Sequence, residues 1–409
     1  MSEWKKVKLK NICSDIIDCV NKTAPVCDYE TPYKMLRTSD IRNGQINTEG
    51  LKCVSKETFE KWNRRGYLQK GDVIFTREAP VGEVGWLKDP KNLFLGQRLM
   101  FFRADNKKCD NRFLFYSLFF SENKRSIIAK SNGSTVNHLR VPDCENIEID
   151  IPDLQTQQNI ASILSRYDSL IENYQKQIKL LEEAAQRLYK EWFVDLHFPG
   201  HENTKIVDGV PEGWEKKKLE DIFSYVRGRS YTSKELSDSG TILVNLKNIQ
   251  AFGGYKRDAE KRYLGDYKQE QSLEVGDLIM GVTDMTQERR LVGHVALIPE
   301  FKEPATFSMD LIKILPFELS KSFLYCAMRF GGISKQIAPL ANGVNVLHLK
   351  PEAMMGIGMV VPSKELIKHF DDYYNHGFNT ILHLQDQIRL LTEARDRLLP
   401  KLMSGEIAV

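Results

Sequence analysis

Residues 155–193 read QTQQNIASILSRYDSLIENYQKQIKLLEEAAQRLYKEWF, a stretch that follows Pro152 and meets no proline or glycine until Pro199. Its large apolar residues fall at Ile160, Leu164, Tyr167, Ile171, Tyr174, Ile178, Leu181, Ala185, Leu188 and Trp192. The steps alternate four and three, the heptad seam of a helix that lies along another helix. Glu172, Lys176, Lys179, Glu182, Glu183, Arg187, Lys190 and Glu191 cover the other faces as solvated charge. At about 1.5 Å per residue such a helix is roughly 60 Å long. One apolar stripe of that length needs a partner.

The chain supplies the partner 210 residues later. Advancing each seam position by 210 gives Phe370, Tyr374, Gly377, Ile381, Leu384, Ile388, Leu391, Arg395, Leu398 and Leu402, eight of the ten bulky and apolar. Gln177, Ile178, Leu180, Leu181, Glu183, Ala184, Arg187 and Leu188 return as Gln387, Ile388, Leu390, Leu391, Glu393, Ala394, Arg397 and Leu398. The same step carries Trp4, Lys6, Lys8 and Leu9 to Trp214, Lys216, Lys218 and Leu219, and Asn132, Gly133, His138 and Leu139 to Asn342, Gly343, His348 and Leu349. Pro152 becomes Pro362, and a slightly shorter step aligns Gly71-Asp72 with Gly276-Asp277. A self-repeat of this kind sets the architecture. The chain divides into a globular part (1–152), a central helix (153–200), a second globular part (201–362) and a C-terminal helix (363–409).

Each globular part reads as mixed α/β. In the first, Val73-Ile74-Phe75, Val84–Leu87, Leu99–Phe102 and Ile147–Ile151 are expected strands, and Asn111–Ser131 an aromatic-rich helix pair. In the second, Val275–Met280 and Met359–Val361 are strands and Phe317–Gln336 is helical. The link from Pro199 to Pro211 reads as a loop. The simplest closure runs the second helix back along the first. The expected fold class is therefore α+β, with two pseudo-two-fold-related α/β domains separated by a long antiparallel two-helix coiled coil. Its seam would be Ile160, Leu164, Ile171, Ile178, Leu181 and Leu188 against Ile381, Leu384, Ile388, Leu391 and Leu398.

Hydrophobic content of 42% and charged content of 28% are those of a soluble globular protein, and a net charge of +3 neither announces nor forbids a nucleic-acid partner. The opening Met1-Ser2-Glu3-Trp4-Lys5-Lys6 does not read as a signal peptide, and Phe113–Phe120 is too short to cross a bilayer. Seven cysteines include no CxxC pair, which argues against zinc and, without an export signal, for free thiols in a reducing cytoplasm.

Motifs that carry chemistry are scarce. GxxxxGK[ST] and GxGxxG are absent, and the ExK endings at Glu122-Asn123-Lys124 and Glu300-Phe301-Lys302 are triplets that recur by chance. His369, His376 and His383 stand seven apart, about 10 Å along a helix, too far to share a metal. No catalytic or metal site is expected. The polar and basic loops are the better candidates for a nucleic-acid interface. The first part offers Lys34, Arg37, Thr38, Ser39, Arg64, Arg65, Arg77, Arg98, Ser134 and Thr135. The second offers Arg227, Arg229, Asn245, Lys247, Lys256, Arg257, Arg289, Arg290 and Asn345. Such side chains suit phosphates and base edges. Framework residues match between the repeats while loop residues differ: Arg37 aligns with Asn245, and Ser134-Thr135 with Val344-Asn345. One scaffold with two reading surfaces implies recognition of two different things.

With these features the sequence resembles the specificity subunit of Type I restriction–modification systems. The resemblance rests on the paired entries at Trp4 and Trp214, the segment Leu36-Arg37-Thr38-Ser39-Asp40-Ile41, and the Gly71-Asp72 and Gly276-Asp277 turns. It rests also on the loop Asn132-Gly133-Ser134-Thr135 and on Ile151-Pro152 and Val361-Pro362 before the long helices. It spans the whole chain, and Val344-Asn345 in place of Ser-Thr is a departure from it. The resemblance implies two target-recognition domains, each reading one half of a bipartite site in double-stranded DNA. It implies a helical pair that sets the spacer and docks two methyltransferase subunits, with two motor–nuclease restriction subunits joining for cleavage. It implies no catalysis by this chain; S-adenosylmethionine, ATP and magnesium would sit on those partners. The recognition subunit of another restriction–methylation type is the nearest alternative, and a coiled-coil scaffold that binds no DNA is the alternative of a different class.

Overall fold

The computed structural model describes residues 4–129, 131 and 137–409, apart from the side chain of Asp258. The chain forms two compact units, one joining Met1–Asn173 to Ile388–Val409 and the other spanning Tyr174–Gln387. Four helices frame these units: α1 (Asn111–Phe119), α2 (Leu154–Phe193), α3 (Lys321–Phe330) and α4 (Lys364–Met403). Both α2 and α4 have 40 residues, and each is shared between the two units.

The start of α2 is fixed by Asp153, whose carboxylate accepts from the Thr156 amide at 3.0 Å and from its hydroxyl at 2.8 Å. At the corresponding place before α4, the Ser363 hydroxyl accepts from the Leu366 amide at 3.4 Å. Pro400 lies inside α4, within a turn of its end, where the missing N–H removes one hydrogen bond without stopping the helix. The chain then turns at Gly405, whose φ of +74° suits glycine, and a Cβ there would meet the Trp4 indole at 2.9 Å.

In the first unit the half-helices run antiparallel. Asp168 of α2 meets Arg395 of α4, while Ile160 and Leu164 share a core with Leu399, Leu402 and Met403. A four-stranded antiparallel sheet runs in the order Cys13–Asp18, Leu99–Ala104, Val73–Thr76, Val84–Trp86. A smaller sheet pairs Lys34–Leu36 with Lys52–Cys53 and, in parallel, with Leu93–Leu95. Entry and exit of the globular part are clasped together, with Lys5 opposite Ile151 and Lys8 opposite Glu148. That ladder delivers the chain to α2.

The second unit repeats this plan with its own residues. Its antiparallel sheet runs Phe223–Arg227, Leu311–Pro316, Leu278–Gly281, Val295–Leu297. Its clasp sets Glu215 opposite Val361 and Lys218 opposite Gly358, the first clasp advanced by 210 at both strands. In its half-helices Trp192 lies 6.2 Å from Phe370, again antiparallel. The helix α1 is capped by Asp110 and α3 by Ser320, also 210 apart, each accepting from the third amide beyond it.

The seam is unevenly buried. Ile160, Leu164, Ile171, Ile381 and Leu384 are buried, whereas Ile178, Leu181, Leu188, Ile388, Leu391 and Leu398 are half-buried. Near the end of α2 the burial passes to Tyr189 and Trp192, which pack in the second core with Phe370. The link expected as a plain loop contains a hairpin, Ile206–Val207 against Val210–Pro211, turned through Asp208 and Gly209 at positive φ. Asp-Gly between β-branched residues is the signal for such a turn.

Candidate nucleic-acid interface

Two buried aspartates explain why Gly-Asp recurs. Gly71 and Gly276 take positive φ, and each following carboxylate closes its turn by accepting from an amide three residues back: Gln69 to Asp72 at 2.7 Å, Glu274 to Asp277 at 2.9 Å. Asp72 also receives the Arg103 guanidinium at 2.8 and 2.9 Å, and Asp277 receives Lys321 at 2.6 Å. These groups hold the starts of the central strands Val73–Thr76 and Leu278–Gly281, which lead to Arg77 in the first unit and to Arg289 and Arg290 in the second.

Many of the basic candidates are occupied within the fold. Arg37 clasps Asp40 through two guanidinium nitrogens at 3.1 and 2.9 Å, and Ser39 donates to the same carboxylate at 3.1 Å, so Arg37-Thr38-Ser39-Asp40 is a closed turn. Asn245 and Asn248 make the neutral version, with the Asn245 amide and side chain both donating to the Asn248 carbonyl oxygen. The difference between Arg37 and Asn245 is thus two chemistries for one cap. Arg77 spans Asp18 at 2.7 Å and the Leu139 carbonyl at 3.0 Å, and Arg65 reaches the Cys19 carbonyl at 2.8 Å. Arg98 pairs with Glu78 and Lys34 with Glu30. Arg227 donates to Glu352 at 2.7 Å, Arg229 to the Tyr263 hydroxyl at 2.7 Å, and Arg257 to the Glu300 carbonyl at 3.1 Å. Arg64, Lys247 and Lys256 have exposed side chains. Ser134 and Thr135 lie outside the described residues.

One group of candidates is brought together and presented outward. In the second unit, Thr283 and Asp284 pair with His348 and Leu347, and Gln287 donates to the Val344 carbonyl at 2.9 Å. This lays residues 285–290 beside residues 342–346. Asp284 organises the first loop: it accepts from the Thr286 amide and hydroxyl at 2.8 Å each and from the Leu291 amide at 2.6 Å. Burial alone would raise its pKa, but these donors prevail and hold the carboxyl below its ordinary value. Arg290, Gln287 and Asn345 are exposed on the two loops, with Arg290 paired to its neighbour Glu288. Arg289 is half-buried with φ of +51°. Met285 is 77% exposed and Val344 88% exposed, large apolar groups standing in water among polar donors. Sequence reading missed Gln287, Met285 and Val344; the doubled Arg289-Arg290 facing an Asn-Gly turn was the available signal. In the first unit a bridge from Glu78 to His138 occupies the matching place.

Beneath the loop, His294 is buried against the exposed Phe252 ring at 5.6 Å, and its Nδ1 has no partner. Burial pulls its pKa below the ordinary value of 6.5, against the opposing pull of Asp284. Among the described residues no group of three His, Cys, Asp or Glu is placed to hold a metal, and no helix is long and apolar enough to cross a membrane. The seven cysteines are all free thiols.

Two compact units are built on one repeated frame, with different side chains on the segments that leave the central strands. A family model described as the Type I restriction modification DNA specificity domain matches residues 1–183. The specificity subunit of the Type I restriction enzyme MjaIX of Methanocaldococcus jannaschii is 29% identical over 420 residues, covering 100% of this chain and 94% of that one. The HindI specificity subunit of Haemophilus influenzae is 23% identical, with both chains covered in full at 100%. A crystal structure of the Type I specificity subunit of M. genitalium superposes with a TM-score of 0.61 at 19% identity, over 98% of this chain and 96% of that one, so the fold is shared. Over its whole length the chain is therefore similar to specificity subunits of Type I restriction–modification systems, and residues 1–183 match the DNA specificity domain of that family.

Proposed function

We propose that each unit reads one half of a bipartite, asymmetric site in double-stranded DNA, and that the helical pair sets the spacer and docks two methyltransferase subunits. Two restriction subunits join that complex for cleavage, in the cytoplasm. The chain performs no chemistry itself; S-adenosylmethionine, ATP and magnesium belong to the partner subunits. The observation that carries this reading is the recurrence of the frame in register against the divergence of the loops. The clasp, the α1 and α3 caps and the 40-residue helices repeat at a step of 210. In sequence the loop at 342–346 keeps the Asn-Gly of the first repeat but has Val344-Asn345 where that repeat has Ser134-Thr135, and Gln287, Arg289 and Arg290 have no counterpart at the step of 205 that aligns the Gly-Asp turns. Conserving the mount while varying the tip is what two unlike half-sites require.

In the second unit Arg289 and Arg290 are assigned to phosphates, and Gln287 and Asn345 to base edges. The test uses the full chain with its methyltransferase subunits. Replacing both arginines by alanine is expected to weaken duplex binding for all sequences and to lower the salt slope by about two. Replacing Gln287 and Asn345 is expected to change methylated bases in one half-site and leave the other unaltered. Bases changing in both halves would defeat the assignment, and no duplex binding at any salt concentration would return the scaffold reading.

A further inference from the structure

The two long helices contain a segment that is almost the same twice. Residues 178–188 read IKLLEEAAQRL and residues 388–398 read IRLLTEARDRL, seven identities in eleven. The first segment packs in the second unit and the second in the first, so nearly identical helices must find different neighbours. The four differences are Lys179 for Arg389, Glu182 for Thr392, Ala185 for Arg395 and Gln186 for Asp396.

Two of those differences enter ion networks, a buried one in the first unit and a half-buried one in the second. In the first unit the Arg395 guanidinium donates to Asp168 at 2.9 Å, with 13% and 7% of the two side chains exposed. The Tyr116 hydroxyl donates to the other Asp168 oxygen, Arg112 approaches it at 3.4 Å, and Arg395 lies 5.8 Å from the Phe119 ring. In the second unit the arginine comes from the globular part instead. Arg329 of α3 reaches Glu182 of α2 at 3.5 Å, donates to the Tyr325 hydroxyl, and lies 5.2 Å from the Phe330 ring.

The repeat shows that these are reciprocal solutions. Since α1 and α3 are in register at a step of 210, Arg329 corresponds to Phe119, and Asp168 corresponds to Phe378. Where the first unit has arginine on the long helix and phenylalanine on the short one, the second has Ala185 on the long helix and arginine on the short one. A helix carrying Ala185 in place of Arg395 would leave Asp168 short of its nearest cation. Arg395 in place of Ala185 would set two guanidinium groups together without Glu182, because Thr392 replaces it, and would bring only the exposed Asp396, to which Arg395 donates at 2.8 and 2.9 Å, as a carboxylate. A buried charge stripped of its partner costs far more than an intact pair gains. We infer that positions 182/392 and 185/395 are an address code: the first globular part accepts a helix end bearing arginine, the second one bearing glutamate and alanine, and each refuses the other's. The code keeps a helix end from the first repeat of a second copy out of the first unit, so unlike halves are always joined.

The full chain tests this. The variant R389K/T392E/R395A/D396Q makes the second segment identical to the first. Hydrogen exchange of the α1 amides from Phe113 to Leu118 is expected to rise at least about tenfold, while α3 amides keep their rates. The reciprocal variant K179R/E182T/A185R/Q186D is expected to do the opposite. Adding F119R and D168F to the first variant imports the second unit's solution and is expected to restore most of the lost α1 protection. Unchanged exchange in both segment variants, or damage that simply sums in the combined variant, would overturn the code.

Discussion

At the scale of residues, similar motifs are held with different force. Asp72 is fully buried, and its carboxylate takes three close donors, two of them from Arg103. Asp72→Ala takes the nearest carboxylate from a largely buried guanidinium, leaving it Asp15 at 3.3 Å and the Tyr67 carbonyl at 3.0 Å, and is expected to cost about 3 kcal/mol. The repeat's counterpart, Asp277, is paired to Lys321, which is 42% exposed, so Lys321→Ala is expected to cost less than about 1 kcal/mol. Urea denaturation separates the two; equal losses would mean that the arginine pair is no more than a surface contact. Protonation acts at the same scale. His294 has its pKa lowered by burial, so folding favours the neutral ring. The folded chain therefore keeps its full stability above pH 6.5, the ordinary value, and loses it as the pH falls from there towards the folded-state pKa. Asp284, also held low, keeps its stabilising ionised form through that window and adds its own loss only in stronger acid. The urea midpoint of the second unit is expected to decline below about pH 6.5, and His294→Leu to flatten that decline.

At the scale of elements, legibility followed the range of the signal. The helices α2 and α4 were readable because a heptad seam is local and long, and the Asp153 cap stands where the pattern begins. The clasp was readable because its two strands recur at the same step as the helices. The hairpin at Ile206–Pro211 sits inside a link whose polar composition reads as loop, although Asp208-Gly209 encodes its turn. Tyr189 was off the expected seam because the globular core reaches across to it: its ring packs on Phe323 and Phe370, contacts that periodicity cannot contain. The candidate loops were the least legible. Arg37, Arg77 and Arg229 look like phosphate ligands in a sequence, but each is engaged with a partner far away or three residues on. Whether an arginine faces water or a buried carboxylate is decided by tertiary contacts, and the loops that do face outward were marked only by arginines beside a glycine turn.

At the scale of the whole molecule, a helix is a measure as well as a scaffold. Seven residues add about 10 Å to a helix, and seven is the insertion that keeps a heptad seam in phase. About 10 Å is close to three base pairs at 3.4 Å each. One heptad inserted after Asn173 in α2, matched by one after Gln387 in α4, leaves the residues of both units untouched. If the helical pair sets the spacer, mapping of methylated bases should find it about three base pairs longer between two unaltered half-sites. An insertion of four residues in each helix shifts the apolar stripe off its seam and is expected to abolish methylation instead. A heptad in α2 alone leaves the seams mismatched and should behave the same way. A spacer unchanged by the matched pair would show that the distance between half-sites is fixed by the partner subunits, and that these helices serve only to hold them.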